Sequence, residues 1–230
     1  MEEVFVHLAP LFLSLKIAGL ATSIVAILGI ASARWMTQCD FPGKRIVDSL
    51  FMLPLVLPPT VIGFGLLYLF GKNGPFGRLL LQTLNVQVVF TWGGAVLAAV
   101  VVSFPLMYQS ASAAFKKYDI SVEYAALTMG ASKWRVFWTI SLPLAWPGIL
   151  AGLVLTFARA LGEFGATLMV AGYIPQQTET IPLAIYFAVE TGDVKTASFW
   201  VMSIVIVGFT AVFWLNWWSA RHIRDGSNKK

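Results

Sequence analysis

Charge is scarce in this chain. Only 12% of its 230 residues are Asp, Glu, Lys or Arg, against about 25% in a soluble domain. So few charges cannot cover a water-facing surface, which excludes a single soluble globular domain. Cysteine is nearly absent, and the one residue, Cys39, permits no disulfide within the chain. A free thiol suits the reducing side of a membrane. The two histidines, His7 and His222, stand at opposite ends and suggest no metal cluster. A phosphate-cradling loop of the form G-x-x-x-x-G-K-[ST] is missing. The Gly-Lys pairs Gly43-Lys44 and Gly71-Lys72 lack both the earlier glycine and the following Ser or Thr. ATP therefore has no such site here. No Ser/His/Asp set and no carboxylate pair at catalytic spacing is found, so the expected site residues include none that are catalytic and none that bind metal. There is no internal repeat and no low-complexity tract. The amino terminus lacks a basic stretch, and its first apolar run is too long for the core of a signal peptide, so it is expected to stay as an anchor.

Apolar residues are what the chain has in excess, at 58%. They cluster in five runs, at about 10–34, 47–70, 88–109, 144–171 and 196–218. Each is long enough to cross a hydrocarbon core, which takes about 20 helical residues. In lipid the backbone must satisfy its own polar groups, and these runs do not alternate as barrel strands do, so they are expected to be helices. The expectation is an all-α integral membrane protein, one domain over 1–230, with membrane lipid as its second solvent.

The net charge of +5 could suggest nucleic acid, but its placement argues otherwise. Eleven of the 16 Lys and Arg residues fall in three places. These are Arg34, Lys44 and Arg45; Lys116, Lys117, Lys133 and Arg135; and Arg221, Arg224, Lys229 and Lys230. Positive charge is retained on the cytoplasmic side. The amino terminus is then outside, and the 110–143 loop and carboxyl terminus are inside. Lys16, in the outer third of the first run, either snorkels to headgroups or attracts anions.

Within the runs, Pro54, Pro58 and Pro59 should kink the second helix, as a packing feature or as the wall of a path. Trp92 and Tyr108 bracket the third, which Pro105 should kink. Residues 71–87 suggest a short interfacial helix. Gly148 and Gly152 form a GxxxG face that allows close helix approach. The 181–190 stretch is apolar but too short to span, so it is a re-entrant or surface helix. Trp214, Trp217 and Trp218 close the last run as an aromatic belt. Arg159 and Glu163 are four apart on one helix face. They are either a self-satisfied structural pair or the lining of a path, with Thr167 one turn further on.

The 110–143 loop is far more polar than its flanks. Asp119 or Ser121 can cap a helix starting near Val122. Ala125 and Ala126 favour that helix and let another surface approach closely. Gly130 can end it. Ser132 can cap a second helix bearing Trp134, Phe137 and Trp138, and Pro143 starts the next membrane run. Read from residues alone, this short stiff piece either docks a cytoplasmic partner or packs on its own bundle.

Glu123, Ala125, Ala126, Gly130, Ile140, Leu142 and Pro143 fall at the spacing of the EAA loop of ABC-importer permeases, and the chain resembles that family there. Further stretches narrow the likeness to the oxyanion branch, and look like the molybdate-importer permeases. They are Phe41-Pro42-Gly43-Lys44, Leu53 to Pro59, Ser103-Phe104-Pro105-Leu106, Arg135-Val136-Phe137, Ala158 to Thr167, and Ile174-Pro175 with Thr180-Ile181-Pro182. The resemblance implies a five-helix type I importer transmembrane domain with a cytoplasmic coupling helix, in a bacterial or archaeal cell membrane. It implies a homodimer, two copies of an ABC ATPase at the cytoplasmic loops, and an external molybdate-binding protein. ATP and Mg would be used by the ATPase, with no cofactor on this chain and no nucleic acid. The seven loop residues would couple to the ATPase, and Arg159, Glu163, Thr167, Pro58 and Pro59 would line the path or gate. Transport would follow alternating access. Tungstate or sulfate permeases of the same branch are the alternative, and a non-transporting membrane scaffold is the reading from another class.

Overall fold

The computed structural model describes the backbone of residues 2–227 and the side-chain surroundings of residues 8–214. Trp217, Trp218 and the side chains of the basic tail lie outside that range. Among the described residues there are eleven α-helices and no strand. They are α1 (Glu2–Gln38), α2 (Lys44–Val56), α3 (Pro59–Phe70), α4 (Pro75–Leu84), α5 (Trp92–Lys117), α6 (Ser121–Thr128), α7 (Lys133–Val136), α8 (Leu142–Leu161), α9 (Gly165–Ala171), α10 (Ile181–Glu190) and α11 (Val194–Ser227). Four helical stretches are long and apolar enough to cross a membrane, and α2 with α3 makes a fifth if counted as one bent span.

The centre of the bundle is α5, which packs between α1 and α8. Many of its inward positions are small: Gly94, Ala95, Ala98, Ala99, Ala111 and Ala114 are all buried. Without a hydrophobic force between helices in lipid, close backbone approach through small residues holds such a bundle. Glycines on the neighbours complete the fit. A Cβ on Gly148 would lie 2.6 Å from the Ala114 Cβ, and one on Gly152 would lie 2.8 Å from the Ser110 Cβ. The GxxxG face therefore seats α8 on α5 of the same chain.

Three expectations about the runs need correction. The second run is not one kinked helix but two, bent by 111° between Val56 and Pro59. Consecutive prolines explain it: each lacks an N–H, and each disfavours helical geometry in the residue before it. Leu57 and Pro58 are accordingly extended, both with ψ of 140°. Pro54, alone, stays inside α2.

The third run continues to Lys117, through Pro105 and well past 109. Tyr108 thus lies within α5, buried against the bundle, and not at the helix end. Its hydroxyl donates to Asp48 on α2 at 2.5 Å.

The fourth run also starts and ends differently. Helix is continuous from Lys133 through a π-helical turn, Phe137–Ser141, into α8, and stops at Leu161. It breaks at Gly162 and resumes as α9. Pro143 accounts for the wide turn. Its ring would clash with the carbonyl four residues back, and the turn instead places a Leu142 N–H on the Phe137 carbonyl, five residues back.

The short helix expected in 71–87 is α4. The 181–190 stretch is α10, a half-buried helix packed on α11 and α1. Its first N–H, on Ile181, donates to the Ser14 hydroxyl at 2.8 Å.

Candidate functional site

The loop-end elbow is built from α6, α7 and the π-helical turn. Asp119 accepts from the Ser121 N–H at 2.9 Å and starts α6. Its end is a Schellman motif. Ala131 N–H reaches the Ala126 carbonyl at 3.1 Å and Gly130 N–H reaches Leu127 at 3.0 Å, with Gly130 left-handed at φ +88°. Ser132 then caps α7, accepting from the Arg135 N–H at 3.3 Å. The chain is thus tightly punctuated over a dozen residues, and the elbow has little slack.

The seven loop residues do not share one surface. Ala125 and Gly130 face outward, as do Val122, Tyr124 and Met129, the last 83% exposed. Trp134 and Trp138 extend this apolar surface from the next helix. Glu123 and Ala126 instead face the bundle and are buried. Ile140, Leu142 and Pro143 belong to the continuous helix that leads into α8. Leu142 packs against the core of Val25, Met107, Ala111 and Ala145, and Pro143 is exposed.

Glu123 is only 3% exposed, and a buried carboxylate must be paired. Arg34, from the end of α1, meets it with both arms of the guanidinium, Nη1 to Oε1 at 2.9 Å and Nη2 to Oε2 at 2.7 Å. The Ser141 hydroxyl donates to Oε1 at 2.7 Å. The Tyr118 hydroxyl donates to the same oxygen and accepts from Arg34 Nη1 at 3.1 Å. Phe115 and Phe137 lie beside the guanidinium, with ring centroids 5.4 and 6.0 Å from its carbon. Burial pushes the Glu123 carboxyl up, but the hydrogen bonds from Arg34, Ser141 and Tyr118 and the Arg34 charge outweigh it. The group is held below the usual carboxylate range.

Sequence reasoning missed these three partners. In the sequence Arg34 is only one member of the charge pattern, and nothing local singles out Tyr118 or Ser141. The available signal was that Glu123 is the acid of an otherwise apolar helix face, which calls for a cation nearby.

Of the five path candidates, Pro58 and Pro59 form the bend between α2 and α3, and Arg159, Glu163 and Thr167 lie around the break between α8 and α9. Glu163 lies between α8 and α9 and caps the restart, its Oε1 accepting from the Ala166 N–H at 2.8 Å. Its Oε2 lies 2.7 Å from Arg159 Nη1. No hydrogen is aligned along that second contact, so it is a charge contact more than a directed bond. Thr167 is buried in the first turn of α9. A Cβ on Gly165 would lie 3.1 Å from the Pro59 Cβ, and one on Gly63 would lie 2.7 Å from the Met169 Cβ. The start of α9 therefore rests on the start of α3, with Pro58 exposed at the bend.

Two openings flank this middle layer. At one end a groove of about 840 Å³ is lined by Phe12, Leu15, Lys16, Trp92 and Gln176 among others, with the Lys16 ammonium 4.1 Å from the Trp92 ring centroid. At the elbow end a pocket of about 250 Å³ lies among Lys44, Arg45, Asp48, Tyr108, Ser112 and Lys116. Among the described residues no group of three or more His, Cys, Asp or Glu is placed to hold a metal ion.

Residues 25–225 match the family described as binding-protein-dependent transport system inner membrane component. The chain belongs to that family. This transport component is 48% identical over 206 residues to YvgM of Bacillus subtilis (strain 168), a protein named for molybdenum transport, covering 90% of this chain and 91% of that one. It is 43% identical over 219 residues to the molybdenum transport system permease protein ModB of Escherichia coli (strain K12), covering 94% and 95%. Its fold is that of a chain from the inward-facing MetNI methionine ABC transporter, with a TM-score of 0.72 over 96% of this chain and 98% of the other at 13% identity. Membership makes the transport component a multi-pass subunit of the inner membrane, and the fold is that of an importer's membrane domain.

Proposed function

We propose that this chain is the membrane-spanning permease of an ATP-driven molybdate importer. Two copies form the membrane unit, two ATPase chains engage the elbows from the cytoplasm, and an external binding protein delivers the anion. The amino terminus is outside, and the elbow and carboxyl terminus are inside. ATP and Mg are used by the ATPase, and this chain carries no phosphate-cradling loop of its own. The helix breaks at Pro58-Pro59 and Gly162–Gly165, with Arg159, Glu163 and Thr167, form the gate between outward- and inward-open states. Relatives named for molybdenum transport, at 43–48% identity over nearly the whole chain, support the choice of anion.

The observation that carries the mechanism is the division of the elbow into two faces. Its exposed apolar side, Val122, Ala125 and Met129 with Trp134 and Trp138, suits a partner surface. Burying each large side chain there contributes about 1.5–3 kcal/mol, so a few suffice to hold the partner. Its other side is tied inward through Glu123.

Vesicles holding this chain with its ATPase and binding protein test the reading. Uptake of labelled molybdate is expected to require ATP and to resist competition by sulfate. Tungstate or sulfate competing at equal concentration would move the assignment to that anion. ATP-independent flux, or none, would overturn it.

A further inference from the structure

The Glu123 cluster has a geometry that a mere surface tie would not need. One carboxylate joins three separate parts of the bundle: Arg34 at the end of α1, Tyr118 just past the end of α5, and Ser141 at the entry to α8. Each belongs to, directly follows or directly precedes a different long helix. The Ser141 hydroxyl reaches Glu123 from a π-helical turn. An extra residue in a helical turn rotates the side chains on one side of it by roughly 100° relative to the other, so the wide turn sets which way Ser141 faces. Such turns recur where a helix has been re-aimed for function. The carboxylate, the hydroxyl of Ser141 and the guanidinium are all inward, so none of them is on the exposed side that suits a partner.

We infer that Arg34, Tyr118 and Ser141 are positioning residues of the transport step, holding Glu123 so that the elbow moves as one body with α1 and α8. This rests on the importer reading and deepens it. A load applied to Ala125 or Met129 would otherwise swing α6 on two short connections, 118–120 and 129–132, and be lost there. With the carboxylate forked by Arg34, the same load is passed to the long helices. A buried pair behaves as a stiff link because separating its members leaves an uncompensated charge. A guanidinium suits this better than an ammonium, since its fork fixes angle as well as distance.

The test compares ATP hydrolysed with oxyanion imported, in vesicles carrying the full complex, for the parent and for Arg34→Gln, Arg34→Lys, Tyr118→Phe and Ser141→Ala. Arg34→Gln is expected to keep hydrolysis within about twofold while import per ATP falls at least about tenfold, since breaking a buried pair costs more than losing one hydrogen bond. Arg34→Lys should recover part of the ratio. Tyr118→Phe and Ser141→Ala, each removing one hydrogen bond, should lower it about two- to fivefold.

Hydrogen exchange on the full-length chain supplies a second readout. In Arg34→Gln the amides of 121–131 should exchange faster, with 95–115 unchanged. If import and hydrolysis instead fall together with the amount of assembled complex, at an unchanged ratio, the role is only structural and the inference fails. Unchanged exchange in 121–131 overturns it equally. A parent complex that imports no oxyanion removes the importer reading itself and the positioning role with it. A parent that imports, beside an Arg34→Gln variant with the parental ratio, removes the positioning role alone.

Discussion

Two carboxylates, Glu123 and Glu163, are buried in a chain with few charges, and each is tied twice over. Glu163 holds Arg159 with one oxygen and the Ala166 N–H with the other, so it is both half of an ion pair and a helix cap. Arg159→Leu leaves a buried charge alone and should cost about 3–5 kcal/mol. Arg159→Leu with Glu163→Gln removes the charge but keeps an acceptor for Ala166, and should cost about 1 kcal/mol, the scale of one lost hydrogen bond. Thermal melting of the purified proteins should therefore rank the double variant above the single one, and the reverse order would dismiss the pair. Glu123 carries a pH signature. Its carboxyl is held below the usual range, so its stabilising contribution is complete above the unfolded-state value of about 4.3. It is lost as pH falls through the lower folded-state value. Emission from Trp134 and Trp138, monitored by acid titration, should change only below that range. Glu123→Gln should lack the transition.

At the level of elements, prolines and glycines decide where the long runs stop being simple helices. Pro54 and Pro105 each sit inside a helix, whereas Pro58 with Pro59 breaks one. Two consecutive residues without N–H leave two carbonyls unpaired and push Leu57 and Pro58 out of the helical region. Glycines set the distance between helices. Gly148 lies against Ala114 with no room for a side chain, so Gly148→Leu should cost about 1–3 kcal/mol or more through overpacking and lower the melting temperature. Gly19→Leu, at a position with nothing within 4 Å of an added Cβ, is the control and should melt as the parent does. Equal losses at both positions would contradict the packing of α8 on α5.

For the whole molecule the decisive quantity is the asymmetry of charge across the bundle. Arg34, Lys44, Arg45, Lys116, Lys117, Lys133 and Arg135 all gather at the elbow end, and Cys39 lies among them, half-buried. As the sole cysteine it is a ready probe of orientation. A membrane-impermeant maleimide should label Cys39 in inside-out vesicles and leave right-side-out cells unlabelled. Labelling from outside would invert the topology and remove the ATPase side from the elbow. The described part of α2 has no buried residue, and Ile46, Leu50 and Leu53 on it are exposed, which fits a helix facing lipid or a second copy.

Much of this was legible in the residue order. Run length and apolar content specify helices in lipid, because each helix satisfies its own backbone whatever lies beside it. Asp119, Gly130 and Ser132 specify the elbow's ends, since capping acts within a few residues. The 111° bend, the extension of α5 to Lys117 and the π-helical turn were not legible, because each depends on what packs alongside. Least visible of all was the meeting of Arg34 with Glu123, 89 positions apart. Local chemistry states that a buried acid needs a partner, and only the folded arrangement of α1 against the elbow selects which cation supplies it.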